Sequence, residues 1–339
     1  MINNCTIDEY FQHYASLPLI DVRSAGEYEQ GHIQHAINFP LLNNDERSVV
    51  GTCYKQQGHK AAVIKGFELV GGKFADYIVQ FEKLTTQTEI VVHCWRGGLR
   101  SNIMAWLLEK GGYKPIFLKG GYKAYRNWAI DKFSEQKKLL ILGGKTGSHK
   151  TKILQQLKTA NQCVIDLEML ANHRGSAFGG IGLGAQPTQE QFENNLASAL
   201  STYDSSSTIW IENESRLIGK CILPTIFFET MKQSPIIELE VNRSERAKNI
   251  IDEYGAFDRK LLVEKTMGIE KKLGNQNMRN SIAAILDNDY NSWVNYLLDY
   301  YDKTYQHSKE RNGNRKTILI SYSSQNNIDE LIALANSLN

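Results

Sequence analysis

The sequence predicts an α/β protein of two consecutive domains, each built on a parallel sheet. Three observations carry this reading. Short β-type runs alternate with helix-type runs through most of the 339 residues, the pattern of strands joined by crossover helices. A polar stretch at residues 131–138, Asp-Lys-Phe-Ser-Glu-Gln-Lys-Lys, divides two such series. Each series also holds a strand, a glycine-bearing loop and a helix start, which together aim backbone N–H groups at one point. The length suits two cores better than one.

In the first domain, residues 1–130, Leu-Ile-Asp-Val at 19–22 reads as a short buried strand, Ser24 to Tyr28 as a helix start, and Ala-Ile-Asn-Phe at 36–39 as a second strand. Residues 73–79 carry a helical pattern, and Thr-Glu-Ile-Val-Val at 88–92 is a third strand. A helix is expected over 102–108 and a fourth strand over Pro-Ile-Phe-Leu at 115–118.

The second domain, residues 137–339, starts with the strand Leu-Leu-Ile-Leu at 139–142, a glycine-bearing loop over 143–151 and a helix over 152–157. Further strands are expected at 163–166, 208–212 and 236–240. Residues 258 to about 306 are helical in pattern, and their first part is basic: Arg259, Lys260, Lys265, Lys271, Lys272 and Arg279. Residues 316–321 make a last strand, followed by a closing helix.

Hydrophobic residues at 42% and charged residues at 22% describe an ordinary globular protein. A net charge of +2 permits an RNA partner without arguing for one. The five cysteines, Cys5, Cys53, Cys94, Cys163 and Cys221, are odd in number and lack metal-type pairing. That fits free thiols in a reducing compartment. The first residues lack the basic and apolar regions of an export signal, and no apolar run could span a bilayer. The expected compartment is the cytoplasm, with no membrane partner.

The most informative stretch is His-Cys-Trp-Arg-Gly-Gly-Leu-Arg-Ser at 93–101. Cys94 follows an apolar strand, and Trp95, Arg96, Gly97, Gly98, Leu99 and Arg100 lead into a helix. The helix dipole and two guanidiniums should lower the thiol pKa. Such a cysteine can become a persulfide or attack an oxyanion. The Cys-x5-Arg spacing also satisfies cysteine phosphatases, but the loop holds no acid to protonate a leaving group, and Trp95 and Leu99 are bulky.

Three separated patterns in the first domain resemble the rhodanese family of sulfurtransferases. They are Ile-Asp-Val-Arg-Ser at 20–24 with Glu27, Tyr28, Gly31 and His32, then the Cys94 loop, then Lys-Gly-Gly-Tyr at 119–122 with Trp128. The resemblance implies that Cys94 carries the transferred chalcogen as a persulfide or selenosulfide. The loop amides would hold its charge, and Arg96 and Arg100 would attract an anionic donor such as thiosulfate or selenophosphate. Asp21 and Arg23 are expected to pair structurally, and His32 to bond backbone in a turn.

The loop after residue 142 resembles a Walker A phosphate loop: Gly144, Lys145, Thr146, Gly147, Ser148, His149, Lys150 and Thr151. His149 stands where the pattern has its second glycine, a position where a side chain costs conformational freedom. Downstream, Asp166 and Glu168 lie at a strand end, and Glu212 and Glu214 lie where a Walker B acid belongs. Such acids can hold Mg²⁺ directly or through water; the metal ligands themselves stay open. Glu212 and Glu214 could instead pair with Arg216, and His173 with Arg174 could grip an anion or cap a helix.

Together these segments resemble the family of bacterial tRNA 2-selenouridine synthases: a rhodanese-like α/β domain followed by a P-loop NTPase-like α/β domain with a helical basic region. Asn-Asp-Glu-Arg at 44–47, Val50-Gly51, Tyr-Lys-Gln at 54–56 and Gly58 also match. The resemblance implies geranylation of wobble 2-thiouridine in tRNA by geranyl diphosphate, then replacement of the S-geranyl group with selenium from selenophosphate. It further implies tRNA as partner and a selenophosphate-supplying enzyme. Mg²⁺ beside the phosphate loop could stabilise departing pyrophosphate, and the basic helical region is the candidate RNA-facing surface, the alternative being a solvated helix face. Two rivals remain. One is a sulfurtransferase feeding a thiolation pathway. The other is a regulatory protein whose Cys94 senses redox state and whose loop holds a nucleotide without turnover.

Overall fold

The computed structural model describes residues 3–311, 316–322 and 328–338. It divides into two compact units, Met1–Lys132 with Glu193–Ser198, and Phe133–Phe192 with Ala199–Asn339.

The first unit carries strands β1 (Asn3–Cys5), β2 (Leu19–Asp21), β3 (Ile37–Asn38), β4 (Glu89–His93) and β5 (Lys114–Leu118). They pair in parallel in the order β1-β5-β4-β2-β3. Successive residues of a strand face opposite sides, so Ile20, Ile90 and Val92 enter one apolar layer with Phe81, Met104 and Leu108. Leu19 and Val91 enter the other, with Cys5, Leu118, Tyr122 and Tyr125. Ser24 caps the Ala25–Gln30 helix through a reciprocal bond with Glu27. The expected helix over 102–108 runs from Leu99 to Lys110, and that over 73–79 from Phe74 to Phe81.

The unit also holds elements for which the sequence carries little signal. β1 is a three-residue edge strand with two asparagines, recruited because its backbone extends β5 and buries Cys5. Helices Asn44–Gln57 and His59–Val70 meet at Gly58, whose φ of 84° few other residues tolerate. The first of them buries no residue fully, which is why it has no strong apolar stripe.

The second unit carries β6 (Lys138–Gly144), β7 (Cys163–Ile165), β8 (Thr208–Glu212), β9 (Leu217–Ile218), β10 (Cys221–Ile222), β11 (Ile236–Glu240) and β12 (Thr317–Ser321). The main sheet is parallel, in the order β12-β11-β6-β8-β7. β9 and β10 form a small antiparallel pair. Leu140 and Leu142 of β6 pack with Ile153, Leu154 and Leu157 of the Lys150–Thr159 helix. The stretch after residue 258 is helical as expected, in the segments Arg259–Met267, Glu270–Leu273, Asn275–Leu286 and Tyr290–Arg311. They gather on Phe178, Tyr254, Ile285, Trp293 and Leu297 as a separate helical core. Among the described residues no helix is long and apolar enough to cross a membrane.

Candidate functional site

Cys94 leaves the end of β4 and is only 3% exposed. Its Sγ accepts the Gly98 N–H at 3.3 Å and lies 3.3 Å from Ser101 Oγ. Ser101 Oγ in turn donates to the Gly98 carbonyl at 2.9 Å. The loop is clamped from the turn after β5. The Tyr122 N–H donates to the Cys94 carbonyl, and the Lys123 N–H to that of Trp95, each at 2.9 Å. Gly121 makes this approach possible: at φ 57°, a Cβ there would lie 2.3 Å from the Cys94 carbonyl oxygen.

Burial pushes the Cys94 thiol up. The Ser101 hydrogen bond, the Arg100 charge and the backbone N–H groups of Ser101 and Arg96 outweigh it, so the thiol sits below its ordinary value. Of the two arginines expected over the loop, Arg100 is held by Glu27, with Nη1 at 2.5 Å from Oε2 and Nη2 at 3.2 Å from Oε1. Burial raises the Glu27 carboxyl, but Arg100 and Arg47 bring it below its ordinary value. Arg96 is exposed, as are Trp95 and Leu99 at the rim. Glu27 thus places next to the loop an acid that local sequence did not reveal.

Asp21 and Arg23 form a fully buried pair, Oδ2 to Nη2 at 2.6 Å, and the guanidinium lies 3.7 Å over the Tyr122 ring. Strand register sets Asp21 beside His93, with 3.9 Å between Oδ2 and Nε2. Burial pushes His93 down, toward the neutral form. His32 Nδ1 lies 3.0 Å from the Tyr28 carbonyl. These residues brace the strand ends that carry the loop.

In the second unit the phosphate loop curls at Gly144, φ 148°, and Gly147, φ 83°. His149 adopts the left-handed conformation at φ 58° and begins the Lys150–Thr159 helix, so the backbone keeps the shape a glycine would favour. Lys150 Nζ reaches back to the Gly144 carbonyl at 3.1 Å, and Ser148 Oγ to that of Lys145 at 2.6 Å. Arg246, which the motif reading missed, holds the Thr146 carbonyl through Nε at 2.9 Å and Asp302 through both terminal nitrogens. Asn249 Nδ2 holds the Gly147 carbonyl at 2.8 Å. Only a long-range contact could have revealed these two.

The acids converge here. Thr151 Oγ1 donates to Glu168 Oε2 at 2.9 Å, and the Glu168 N–H donates to Glu212 Oε1 at 2.8 Å. Asp166 caps the Leu167–Ala171 helix through the Met169 N–H at 2.8 Å. Glu212 Oε2 is buried and finds no hydrogen-bond partner among the described residues. Burial pushes the Asp166, Glu168, Glu212 and Glu214 carboxyls up, and repulsion from neighbouring carboxylates adds to it for the three glutamates, with Glu168 reaching about 7 and Glu212 well above its ordinary value. Gly175, at φ 64°, packs against Glu214 and Glu168. Arg174 pairs with Glu253 at 2.9 Å and donates to the Ile181 carbonyl at 2.8 Å. His173 lies beside it with its imidazole pushed down by burial. Arg216 donates to Thr225 Oγ1 at 2.7 Å, and no ion pair found among the described residues joins it to Glu212 or Glu214. A cavity of about 1180 Å³ opens from the loop, and Phe178, Trp293, Leu297, Tyr300 and Tyr301 line it along with the phosphate loop, Glu168, His173 and Arg174.

Residues 6–127 match the rhodanese-like domain, and residues 137–288 match the tRNA 2-selenouridine synthase AAA domain. The tRNA 2-selenouridine synthase of Shewanella frigidimarina is 35% identical over 335 residues, covering 88% of this chain and 90% of the relative. The chain belongs to the tRNA 2-selenouridine synthase family. The family member of Shewanella oneidensis is 37% identical across 89% of this chain and 88% of its own length. That of Bdellovibrio bacteriovorus is 44% identical across 70% of this chain and 65% of its own length.

Proposed function

We propose that this family member converts 2-thiouridine at the tRNA wobble position to 2-selenouridine in two steps. In the first, the base sulfur attacks C1 of geranyl diphosphate. A C–S bond forms, the C–O bond to the diphosphate breaks, and pyrophosphate leaves. In the second, selenium of selenophosphate attacks C2 of the S-geranyl base. A C–Se bond forms, the C–S bond breaks and geranyl thiolate leaves; water then cleaves the Se–P bond and releases phosphate. A selenophosphate-producing enzyme must supply that donor.

The observation that carries this reading is the mixed chemistry of the second unit's cavity. Its phosphate loop and Lys150 suit a diphosphate, and Trp293, Leu297, Tyr300 and Tyr301 suit an attached hydrocarbon. No γ-phosphate needs a cradle, so His149 is tolerated. Thr151 and the crowded acids fit a divalent cation, whose charge would relieve the repulsion that raises their pKa values. Among the described residues no three such side chains form a ready metal site, so the Thr151 hydroxyl, the diphosphate and water would complete its shell. Bound there, the cation would offset charge on departing pyrophosphate. In the first unit, the Gly98 N–H and the lowered thiol of Cys94 suit handling of the selenium donor. Exposed Lys271 and Lys272 are candidates for tRNA phosphate contacts, and Lys272 also lines the cavity.

Mass spectrometry of nucleosides tests the reading, with 2-thiouridine tRNA supplied with each donor singly and together. Cys94→Ser is expected to stop at S-geranyl-2-thiouridine. Loss of both products in a folded variant refutes the division of labour. Sulfur rather than selenium delivered to the acceptor would favour the sulfurtransferase alternative.

A further inference from the structure

The first unit carries an apolar pocket of about 160 Å³ that the two steps above leave unused. Its walls come from the helices Asn44–Gln57 and His59–Val70, and from Leu99, Arg100 and Ile103 at the start of the helix that follows Cys94. It is therefore continuous with the Cys94 loop. Of its lining side chains only Arg100 carries a fixed charge, and Glu27 already pairs with it. Phe67 and Leu99, each 47% exposed, and Tyr54, 56% exposed, are among the lining residues. Such a concave apolar surface beside an anion site calls for a ligand with a hydrocarbon arm.

We propose that this pocket holds the geranyl arm of the S-geranyl base while C2 lies at the Cys94 loop. The proposal rests on the two-step reading and adds a subsite to its second step. The size agrees. A dry cavity of about 150 Å³ accepts benzene, so this one takes about one five-carbon isoprene, and the other isoprene of the geranyl chain lies along Leu99 and Phe67. Seating the arm orients the C2–S bond toward the selenium donor and gives the departing geranyl thiolate an apolar berth.

The test uses the full-length protein with selenophosphate and two tRNA substrates, one carrying S-geranyl-2-thiouridine and one S-methyl-2-thiouridine at the wobble position. Wild type is expected to prefer the geranyl substrate in kcat/KM by at least about tenfold. Phe67→Asp, at the exposed rim, and Val63→Trp, which fills the pocket from a lining position on the His59–Val70 helix, are expected to erase that preference and leave S-methyl turnover unchanged. That turnover reports that each variant is folded. A preference that survives both variants, or an equal loss on both substrates, overturns the proposal. So does a wild-type dimer in sedimentation that Phe67→Asp dissociates, because a second copy would then cover the patch. If wild type converts the S-methyl but not the S-geranyl substrate, or neither, the two-step reading itself falls and the subsite falls with it.

Discussion

Replacing Ser101 with alanine should make Cys94 a weaker nucleophile, by an amount the loop geometry bounds. Ser101 Oγ lies 3.3 Å from the sulfur, but its single proton has another acceptor, the Gly98 carbonyl at 2.9 Å. While Cys94 is a thiol, its S–H can donate to Ser101 and the hydroxyl can keep Gly98. Once the thiolate forms, the hydroxyl must turn to the sulfur and release that carbonyl. Ser101 therefore contributes only the difference between a charge-assisted hydrogen bond and a neutral one, about 1 kcal/mol. That is about fivefold in thiolate fraction. Arg100→Gln should have a larger effect, because it removes a whole charge near the sulfur and leaves Glu27, also engaged by Arg47 at 3.5 Å, without its closest partner. The assay is the rate of iodoacetamide capture at Cys94, resolved by peptide mass and followed against pH. On the acidic limb, Ser101→Ala should be about fivefold slower than wild type and Arg100→Gln slower still. An unchanged rate in folded Ser101→Ala, or the reverse order of the two variants, refutes the account of how the thiol is lowered.

Other outcomes follow from the same geometry. Gly121→Ala should destabilise the first unit by roughly 2–4 kcal/mol, since its Cβ would meet the Cys94 carbonyl oxygen at 2.3 Å; an unchanged urea midpoint refutes this. Glu168 keeps its proton to about pH 7 in the folded protein, against 4.5 ordinarily, so the folded state binds more protons in that window and stability falls as pH rises through it. Glu168→Gln should recover about 1–3 kcal/mol at pH 8 in EDTA and little at pH 4.5, as read by thermal melts; no gain at pH 8 refutes it. His149→Gly relieves a left-handed side chain and should cost no stability, the gain being at most about 1 kcal/mol. It should also acquire no ATP turnover, and tight ATP binding and hydrolysis with geranyl diphosphate affinity unchanged would defeat the account of that loop.

Much of the fold was legible because parallel strands are apolar runs that announce themselves. The expected strand at 208–212 is β8 residue for residue, and that at 236–240 is β11. Residues without periodic signal stayed hidden: β1 is too short and polar, the Asn44–Gln57 helix is exposed or at most half-buried along its length, and the β9–β10 pair spans two residues a side. Of the two readings of Glu212 and Glu214, the pairing with Arg216 is not found among the described residues: Arg216 turns to Thr225, Glu168 takes the Thr151 hydroxyl, and Glu212 takes the Glu168 N–H.

By itself the sequence determined both loops, because a strand, a glycine-bearing turn and a helix start are contiguous in the chain and their N–H groups converge through local geometry alone. The tertiary structure decided what surrounds them. Glu27 reaches Arg100 across 73 positions, and Arg246 reaches the phosphate loop across 100. Gly121 and Tyr122 clamp the Cys94 loop from a different strand's turn. Those pairings depend on which strands lie side by side. That order is set by how whole layers bury their apolar faces, and no short window of residues encodes it.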